Sequence, residues 1–440
     1  MGPTPPADVL ADLEARGLVH DTTDRDALAR RLASPVTVYH GIDPTADSLH
    51  VGNLVGVLAL RRFQAAGHRP VALAGGATGM IGDPGGRAGE RALLDPATLA
   101  ANLRGIEAQL RGLLAFEAGG GGSPGGTGGQ PAVLVDNASW TAGLRLVDFL
   151  RDVGKHATVN QMIAKESIRS RLESRDGISF AEFSYMLIQA HDYLWLHQHE
   201  ACDLQIGGSD QWGNITAGID LIRRRTGAVV HGLTWPLLTR DDGSKLGKSV
   251  GGNVWLDPRR TSTYAFYQHW MQVDDAEVRR LLLQLTFLDV AEVDAIAAAH
   301  AGAPERREAQ RRLASEVTAI VHGVAEAVAA EAASQILFGG RPGELPEAAY
   351  RALQEEVPTT AVDPDRLAEG LDLVAVLAET GLSTSRSDAR RSLGQGAVYV
   401  NDRRVADDDP VLSAADVRHG RWILLRRGRR QHHLLRLGRE

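Results

Sequence analysis

Between residue 7 and about residue 235, short β-branched or apolar runs alternate with longer helix-like stretches. That alternation constrains the fold more than any other feature, because parallel strands can be joined only by long crossover segments, usually helices. The runs 36–39, 70–74, 132–135 and 203–206 read as strands. The expectation is an α/β unit over residues 1–235, built on a doubly wound parallel sheet. One stretch inside it, 119–129, holds eight glycines in eleven residues and is expected to be a flexible surface loop without chemistry of its own.

Downstream the pattern changes. From 263 to 338 strand signals fade, and Asp274 with Glu277 and Asp289 with Glu292 read as helix starts, so an all-α domain is expected. Residues 236–262 connect the two and carry the segment KLGKS, and 339–370, rich in proline and glycine, read as a second linker. A small α+β domain is expected over 371–440, with a basic helix candidate followed by the alternating AVYVNDRRV.

Hydrophobic residues at 43% and charged residues at 23% match ordinary globular chains. No apolar run is long enough to span a membrane, and the first residues lack the basic-then-apolar pattern of a secretion signal, so neither fate is expected. The single cysteine, Cys202, excludes an internal disulfide and any multi-thiolate metal site and fits a reducing compartment, which points to the cytoplasm. The net charge of −7 argues against a surface that coats nucleic acid everywhere, yet residues 418–439 contain eight arginines and no acid, so a basic module rides on an acidic body.

Five segments carry the side chains most suited to ligand chemistry. In YHGIDPTADSLHVGNL, residues 39–54, a strand passes through a turn into a helix expected to begin near Ser48, with His50 and Asn53 on one face of its first turn. A helix start attracts anions, though a simple cap with a satisfied histidine is the alternative. GSKLGKSVGG, 243–252, sets Lys245, Lys248 and Ser249 among glycines, a composition suited to a loop that brings charge to phosphates or to a plain solvated turn. It is not the NTPase phosphate loop, because Asp242 stands where that motif needs glycine. The glycines of GGATGMIGDPGGR, 75–87, miss the dinucleotide spacing, and Asp83 there either pairs with a ligand ammonium or organises its turn. In FSYMLIQAHDYLWL, 183–196, Tyr185, Gln189 and Asp192 fall at intervals of four and three on one helical stripe, needing either a polar ligand or interhelical partners. QIGGSDQWGNIT, 205–216, ends a strand in two glycines before Asp210 and Gln211, where doubly wound sheets place their ligands. His191, His197 and His199 lack metal-site spacing and read as surface residues.

Taken together and in this order, the segments resemble the bacterial tyrosyl-tRNA synthetases, class I aminoacyl-tRNA synthetases, over nearly the whole chain. HVGN resembles the HIGH signature of that class and KLGKS its KMSKS signature; TVNQM at 158–162 and ISFAEFSY join the blocks above. The resemblance implies a Rossmann-like catalytic domain, a helical domain for the anticodon arm and a terminal RNA-binding domain of the ribosomal-protein type. It implies that Tyr39 and Asp192 bind the tyrosine phenol, that Asp83, Tyr185 and Gln189 hold its ammonium, and that Gln211 lies near its carboxylate. Gly41, Asp43, Gly52, Gly208, Asp210 and Lys248 would line ATP and the adenylate, and His50, Asn53, Lys245, Lys248 and Ser249 would act on the triphosphate. ATP is the implied substrate, with Mg2+ travelling on its phosphates and no metal held by protein side chains. The implied partners are L-tyrosine and tRNA(Tyr), the latter met by Arg386, Arg390, Arg391, Arg403, Arg404, Arg426 and Arg427, and the implied assembly is a homodimer.

The chain departs from the family pattern at Asn53, where a second histidine is frequent, and at His40 and Gly56, near the expected ribose site. Two rival readings stand beside the tyrosine enzyme. A non-catalytic RNA-binding derivative should have damaged signatures, and here both are chemically intact. The sister tryptophan-activating enzyme has no need of the phenol pair Tyr39 and Asp192.

Overall fold

The structure is a computed structural model that describes residues 8–84, 94–116, 129–173, 177–239, 252–338, 345–405, 410–428 and 431–438, with the backbone alone at 248–249. Two compact units make up the chain, one of residues 1–260 and 273–313, the other of 261–272 and 314–440. Among the described residues no helix is long and apolar enough to cross a membrane.

The first unit is organised by a parallel sheet of β1 (Thr37–Ile42), β2 (Arg69–Ala74), β3 (Val133–Asp136), β4 (Cys202–Gly208) and β5 (His231–Trp235), in the order β3-β2-β1-β4-β5. All four neighbour pairs are parallel. Val38, Val71, Leu204 and Leu233 are almost wholly buried, as expected for strands of a parallel sheet covered by helices. The helix Val51–Ala65 connects β1 to β2, and the chain then reaches β3 on the same side before returning past β1 to β4 and β5. The order therefore reverses between β1 and β4. At such a switch point two neighbouring loops leave in opposite directions and open a crevice beyond the carboxyl ends.

The longest helix, Phe180–Glu200, begins with a capping box between Ser179 and Glu182 and stops where Ala201 turns left-handed at φ 49°. It packs with Trp212–Thr226 against the sheet, around Tyr39, Val71, Leu73, Ala190, Tyr193 and Leu221.

The second unit contains a five-stranded sheet in which Thr359–Val362 runs parallel to Gln431–Leu437, and Trp422–Arg427, Val398–Val400 and Arg403–Arg404 follow antiparallel. Both its faces are covered, because alternate residues of Trp422–Arg427 point opposite ways. Ile423 and Leu425 join Leu373, Leu377 and Ala389 in one core, whereas Trp422 and Leu424 join Ala329, Ala333 and Tyr350 in another.

Two boundaries differ from expectation. The segment 339–370 is not a plain linker, since its described part holds the helix Glu347–Glu356 and the edge strand Thr359–Val362. Pro346 is the residue just before that helix, and Pro358 just before that strand, so the prolines mark where elements begin. The region 263–338 is not one all-α domain either: Asp275–Leu285 and Val290–Gly302 belong to the first unit, Thr263–Met271 and Val324–Leu337 to the second. Its helix starts at Asp274 and Asp289 are where the sequence puts them, but neither aspartate side chain caps its helix. The glycine loop 119–129 lies outside the described residues except for Gly129.

Candidate active site

The expected site residues gather where the topology places a crevice. Tyr39 lies on β1, Asp43 follows it, Gly75 to Asp83 follow β2, Asn137 and Trp140 follow β3, and Asp210 and Gln211 follow β4. Tyr185, Gln189 and Asp192 face this region from the helix Phe180–Glu200.

Asp192 is only 1% exposed, and both its oxygens are held: Trp140 Nε1 donates to Oδ1 at 2.8 Å and Asn137 Nδ2 to Oδ2 at 2.9 Å. Burial pushes its carboxyl up to about 7, opposed by those two donors and reinforced by Asp43 and Asp136. Tyr39 is equally buried, its ring tilted against Tyr193 at 5.9 Å, and its hydroxyl has no hydrogen-bond partner among the described residues. Burial raises its ionisation well above the ordinary value, with Asp192 as the next cause, so the phenol stays a neutral donor and acceptor.

A second cluster is more polar. Tyr185 Oη donates to Asp43 Oδ2 at 2.9 Å and Thr78 Oγ1 to Asp43 Oδ1 at 2.8 Å. Gln211 Nε2 donates to Asp83 Oδ2 at 2.6 Å, Gln189 Nε2 to Gln211 Oε1 at 3.3 Å, and Asn214 Nδ2 reaches Gln189 Oε1 at 3.0 Å. Asp83, Gln189, Gln211 and Asn214 thus form one network with a carboxylate at its end, the chemistry that a ligand ammonium requires. Tyr185 is tied to Asp43 in this arrangement rather than to Asp83.

At the expected anion-binding end, the helix begins at Val51, three residues later than expected, with His50 as its cap. Gly52 N–H donates to His50 Nδ1 at 3.0 Å, and His50 N–H donates to Asn53 Oδ1 at 3.1 Å. The cap therefore uses one acceptor atom of each side chain. Their donor groups are the Nε2–H of a neutral His50 ring and the Asn53 amide nitrogen. Gly41 and Gly52 are exposed, and Gly208 is buried: an added Cβ would stand 2.8 Å from Asp210 Oδ1 and 2.9 Å from Leu237 Cδ2, so those side chains would have to move. Lys245 lies outside the described residues; Lys248 and Ser249 form a two-residue strand with Gly252–Asn253, and their side chains also lie outside.

His40 and Gly56, two of the departures, are one feature. The His40 ring lies over Gly56, where an added Cβ would come within 2.3 Å of Nε2, while Nδ1 meets the Ile206 carbonyl at 3.2 Å. Burial holds this imidazole down at about 4, so it is neutral at physiological pH.

The basic module separates into two kinds of arginine. Arg386 and Arg390 are exposed, and Arg391, Arg403 and Arg404 are exposed while paired with Asp388, Asp416 and the Gly396 carbonyl respectively. Arg426 and Arg427 do not sit on the expected surface. Arg426 is 6% exposed, with its guanidinium 3.7 Å from the centre of the Tyr399 ring, and Arg427 donates to Asp388 and to the Leu382 carbonyl. Of the three histidines expected at the surface, His191, His197 and His199, only His199 is exposed; His191 is half-buried and His197 bonds the Cys202 carbonyl.

Sequence reasoning missed Asn137, Trp140, Thr78 and Asn214. The first two carried a usable signal, as polar groups immediately past a strand's carboxyl end, and Asn214 lies inside the QWGNIT block.

Residues 31–339 match the family of class I tRNA synthetases (W and Y), and residues 350–435 match the C-terminal domain of SYY-like tyrosine–tRNA ligases. A tyrosine–tRNA ligase of Opitutus terrae is 49% identical over 431 residues, covering 98% of this chain and 99% of that protein. Its counterpart from Roseiflexus castenholzii is 50% identical with the same coverage. Among solved structures, a C-terminally truncated mitochondrial tyrosyl-tRNA synthetase from Aspergillus nidulans aligns with a TM-score of 0.67 and 32% identity, over 75% of this chain and 94% of that one.

Proposed function

The chain belongs to the class I tRNA synthetases of the tryptophan and tyrosine family, and on that premise we propose that it is a tyrosine–tRNA ligase that activates L-tyrosine with ATP and passes it to tRNA(Tyr). The observation that carries the choice of tyrosine is the buried Asp192 beside Tyr39. A substrate phenol donating to Asp192 and accepting from Tyr39 satisfies both; phenylalanine leaves two buried polar groups short of a partner, which is costly. Tryptophan could offer a donor but no acceptor for Tyr39.

Adenylate formation needs no general base, because the attacking tyrosine carboxylate is already ionised at neutral pH. Its oxygen bonds to the α-phosphorus as the bond to the bridging oxygen breaks, and pyrophosphate leaves with the electron pair. The network of Asp83, Gln189 and Gln211 holds the amino acid, with Tyr185 adding its hydroxyl. Gly41, Asp43, Gly52, Gly208 and Asp210 give the nucleotide close backbone approach and hydroxyl acceptors. His50, Asn53, Lys245, Lys248 and Ser249 stabilise the departing phosphates. In the second step a ribose hydroxyl of the terminal adenosine attacks the mixed anhydride and AMP leaves.

Mg2+ bound to the ATP phosphates would supply part of the charge neutralisation there, beside the donors of His50, Asn53, Lys245, Lys248 and Ser249. Arg386, Arg390, Arg391, Arg403 and Arg404 are the better-placed phosphate contacts of the terminal module, and the helices beyond residue 262 meet the anticodon arm. A cytoplasmic homodimer completes the reading. Among the described residues, seven of the thirteen exposed large apolar side chains fall between Leu146 and Phe180, a concentration that a second copy would cover. Sedimentation as a monomer would refute that assembly.

The test is tyrosine-dependent exchange of labelled pyrophosphate into ATP without tRNA, with tryptophan and phenylalanine alongside. Exchange with tyrosine alone is expected; exchange with tryptophan instead would reassign the pocket.

A further inference from the structure

Asp192, Trp195 and His199 follow at intervals of three and four along the helix Phe180–Glu200, so they share one stripe. Trp195 stacks on Trp140 with ring centres 4.1 Å and planes 11° apart, and His199 stacks on Trp195 at 4.3 Å and 14°. The column starts at an exposed histidine and ends at the indole whose N–H lies 2.8 Å from Asp192 Oδ1.

The two donors on Asp192 are secured differently. Asn137 is pinned on its own, accepting from Ala77 N–H at 2.7 Å and bonding Thr78 Oγ1 at 3.2 Å. Trp140 sits on the single turn Ala138–Thr141, too short to be rigid by itself, and its ring lies flat on Trp195 at the edge of the core that includes Tyr193 and Leu194. An indole N–H is directional, so a tilted ring loses the bond quickly.

We propose that Trp195 is a positioning residue for tyrosine selection: by stacking on Trp140 it keeps the indole N–H on Asp192, and so keeps that carboxylate oriented to accept the substrate phenol. The inference rests on the reading of Asp192 as the phenol acceptor.

The full-length enzyme is assayed by pyrophosphate exchange with tyrosine and with phenylalanine, as wild type and as Trp195→Ala, Trp195→Leu, Trp195→Phe, Trp140→Phe, the double Trp140→Phe/Trp195→Ala and Asp192→Asn. Trp195→Ala and Trp195→Leu are expected to reduce the tyrosine-over-phenylalanine ratio of kcat/KM by about tenfold, chiefly through the tyrosine KM, with the ATP KM unchanged. Trp195→Phe, which still stacks, is expected to restore the ratio. In the Trp140→Phe background, where the N–H is gone, Trp195→Ala should have no further effect on it. A ratio left intact by both non-stacking variants, or reduced equally with and without the Trp140 N–H, overturns the proposal. An Asp192→Asn enzyme that keeps the wild-type ratio overturns the phenol reading itself, a different failure visible in the same assay.

Discussion

Asp192 and His50 are held in contrasting ways. Asp192 is buried, its two oxygens already engaged by donors from another element, and its ionisation is opposed by the surrounding protein. His50 is partly exposed, and it caps its own helix by accepting from Gly52 N–H and donating its N–H to the Asn53 side chain, with its ring edge-on to Trp255. The contrast fits the roles proposed for each. Selecting a phenol requires that the wrong amino acid leave buried groups unsatisfied, so the pocket is wired in advance at some cost to stability. Handling a triphosphate requires donors that strengthen as charge moves to the leaving group, so they sit at a helix start and on a lysine-bearing segment.

This difference can be broken from either side. The largest effect is expected from Asp192→Ala, which strands Asn137 and Trp140 and removes the proposed phenol acceptor: kcat/KM for tyrosine should fall by several hundredfold, on the order of 3–4 kcal/mol, with the ATP KM unchanged. Lys248→Ala should do the reverse, lowering kcat about a hundredfold while tyrosine binding in calorimetry stays the same.

The pH response sharpens the same contrast. Because the folded-state value of Asp192 is raised to about 7, its contribution to stability is complete below its unfolded value of about 4 and is lost as pH rises through 7. Asp192→Asn should therefore gain on wild type by several degrees in Tm between pH 4 and 8. Over the same range wild-type affinity for tyrosine should rise, since the ionised carboxylate is the phenol acceptor, while the variant's stays flat.

Smaller effects are expected at His40 and Gly56. Gly56→Ala should lower stability by about 1 kcal/mol or more and raise the ATP KM, because its methyl would enter the His40 ring; His40→Ala in the same chain should relieve both. The smallest concern the basic module. Arg386→Ala with Arg390→Ala should weaken tRNA binding several-fold and reduce its salt dependence, leaving exchange untouched. Arg426→Ala should instead lower Tm, since that guanidinium lies against Tyr399.

These regions also differ in how far the sequence discloses them. Four strands of the parallel sheet are legible because each carries a short cluster of β-branched or apolar residues, such as Val36 to Tyr39 and Val133 to Val135, whereas β5, HGLTW, places polar residues in a fully buried strand and carries no such cluster. The turns carrying Asp83, Asp210 and Gln211 are legible as polar residues after strand ends. Their roles come from the family resemblance, because local pattern leaves each one divided between ligand and turn. Asn137 and Trp140 are visible only as polar groups past a strand end; their pairing with Asp192 is not, because it lies 55 and 52 residues away and no local spacing encodes that contact. Arg426 and Arg427 mislead in the opposite sense, since a count of arginines cannot register Tyr399 or Asp388 beneath them. Residues 339–370 mislead because Pro346 and Pro358 punctuate elements as readily as they interrupt them.

The central claim is that a buried carboxylate reads the phenol. It is tested most directly by a crystal structure of the full chain with a non-hydrolysable tyrosyl-adenylate analogue. The phenol oxygen should lie about 3 Å from an Asp192 oxygen and from Tyr39 Oη, with Trp140 still donating to Asp192. A phenol oxygen bonded to other groups, or a side chain lodged elsewhere with Asp192 unchanged, would contradict it.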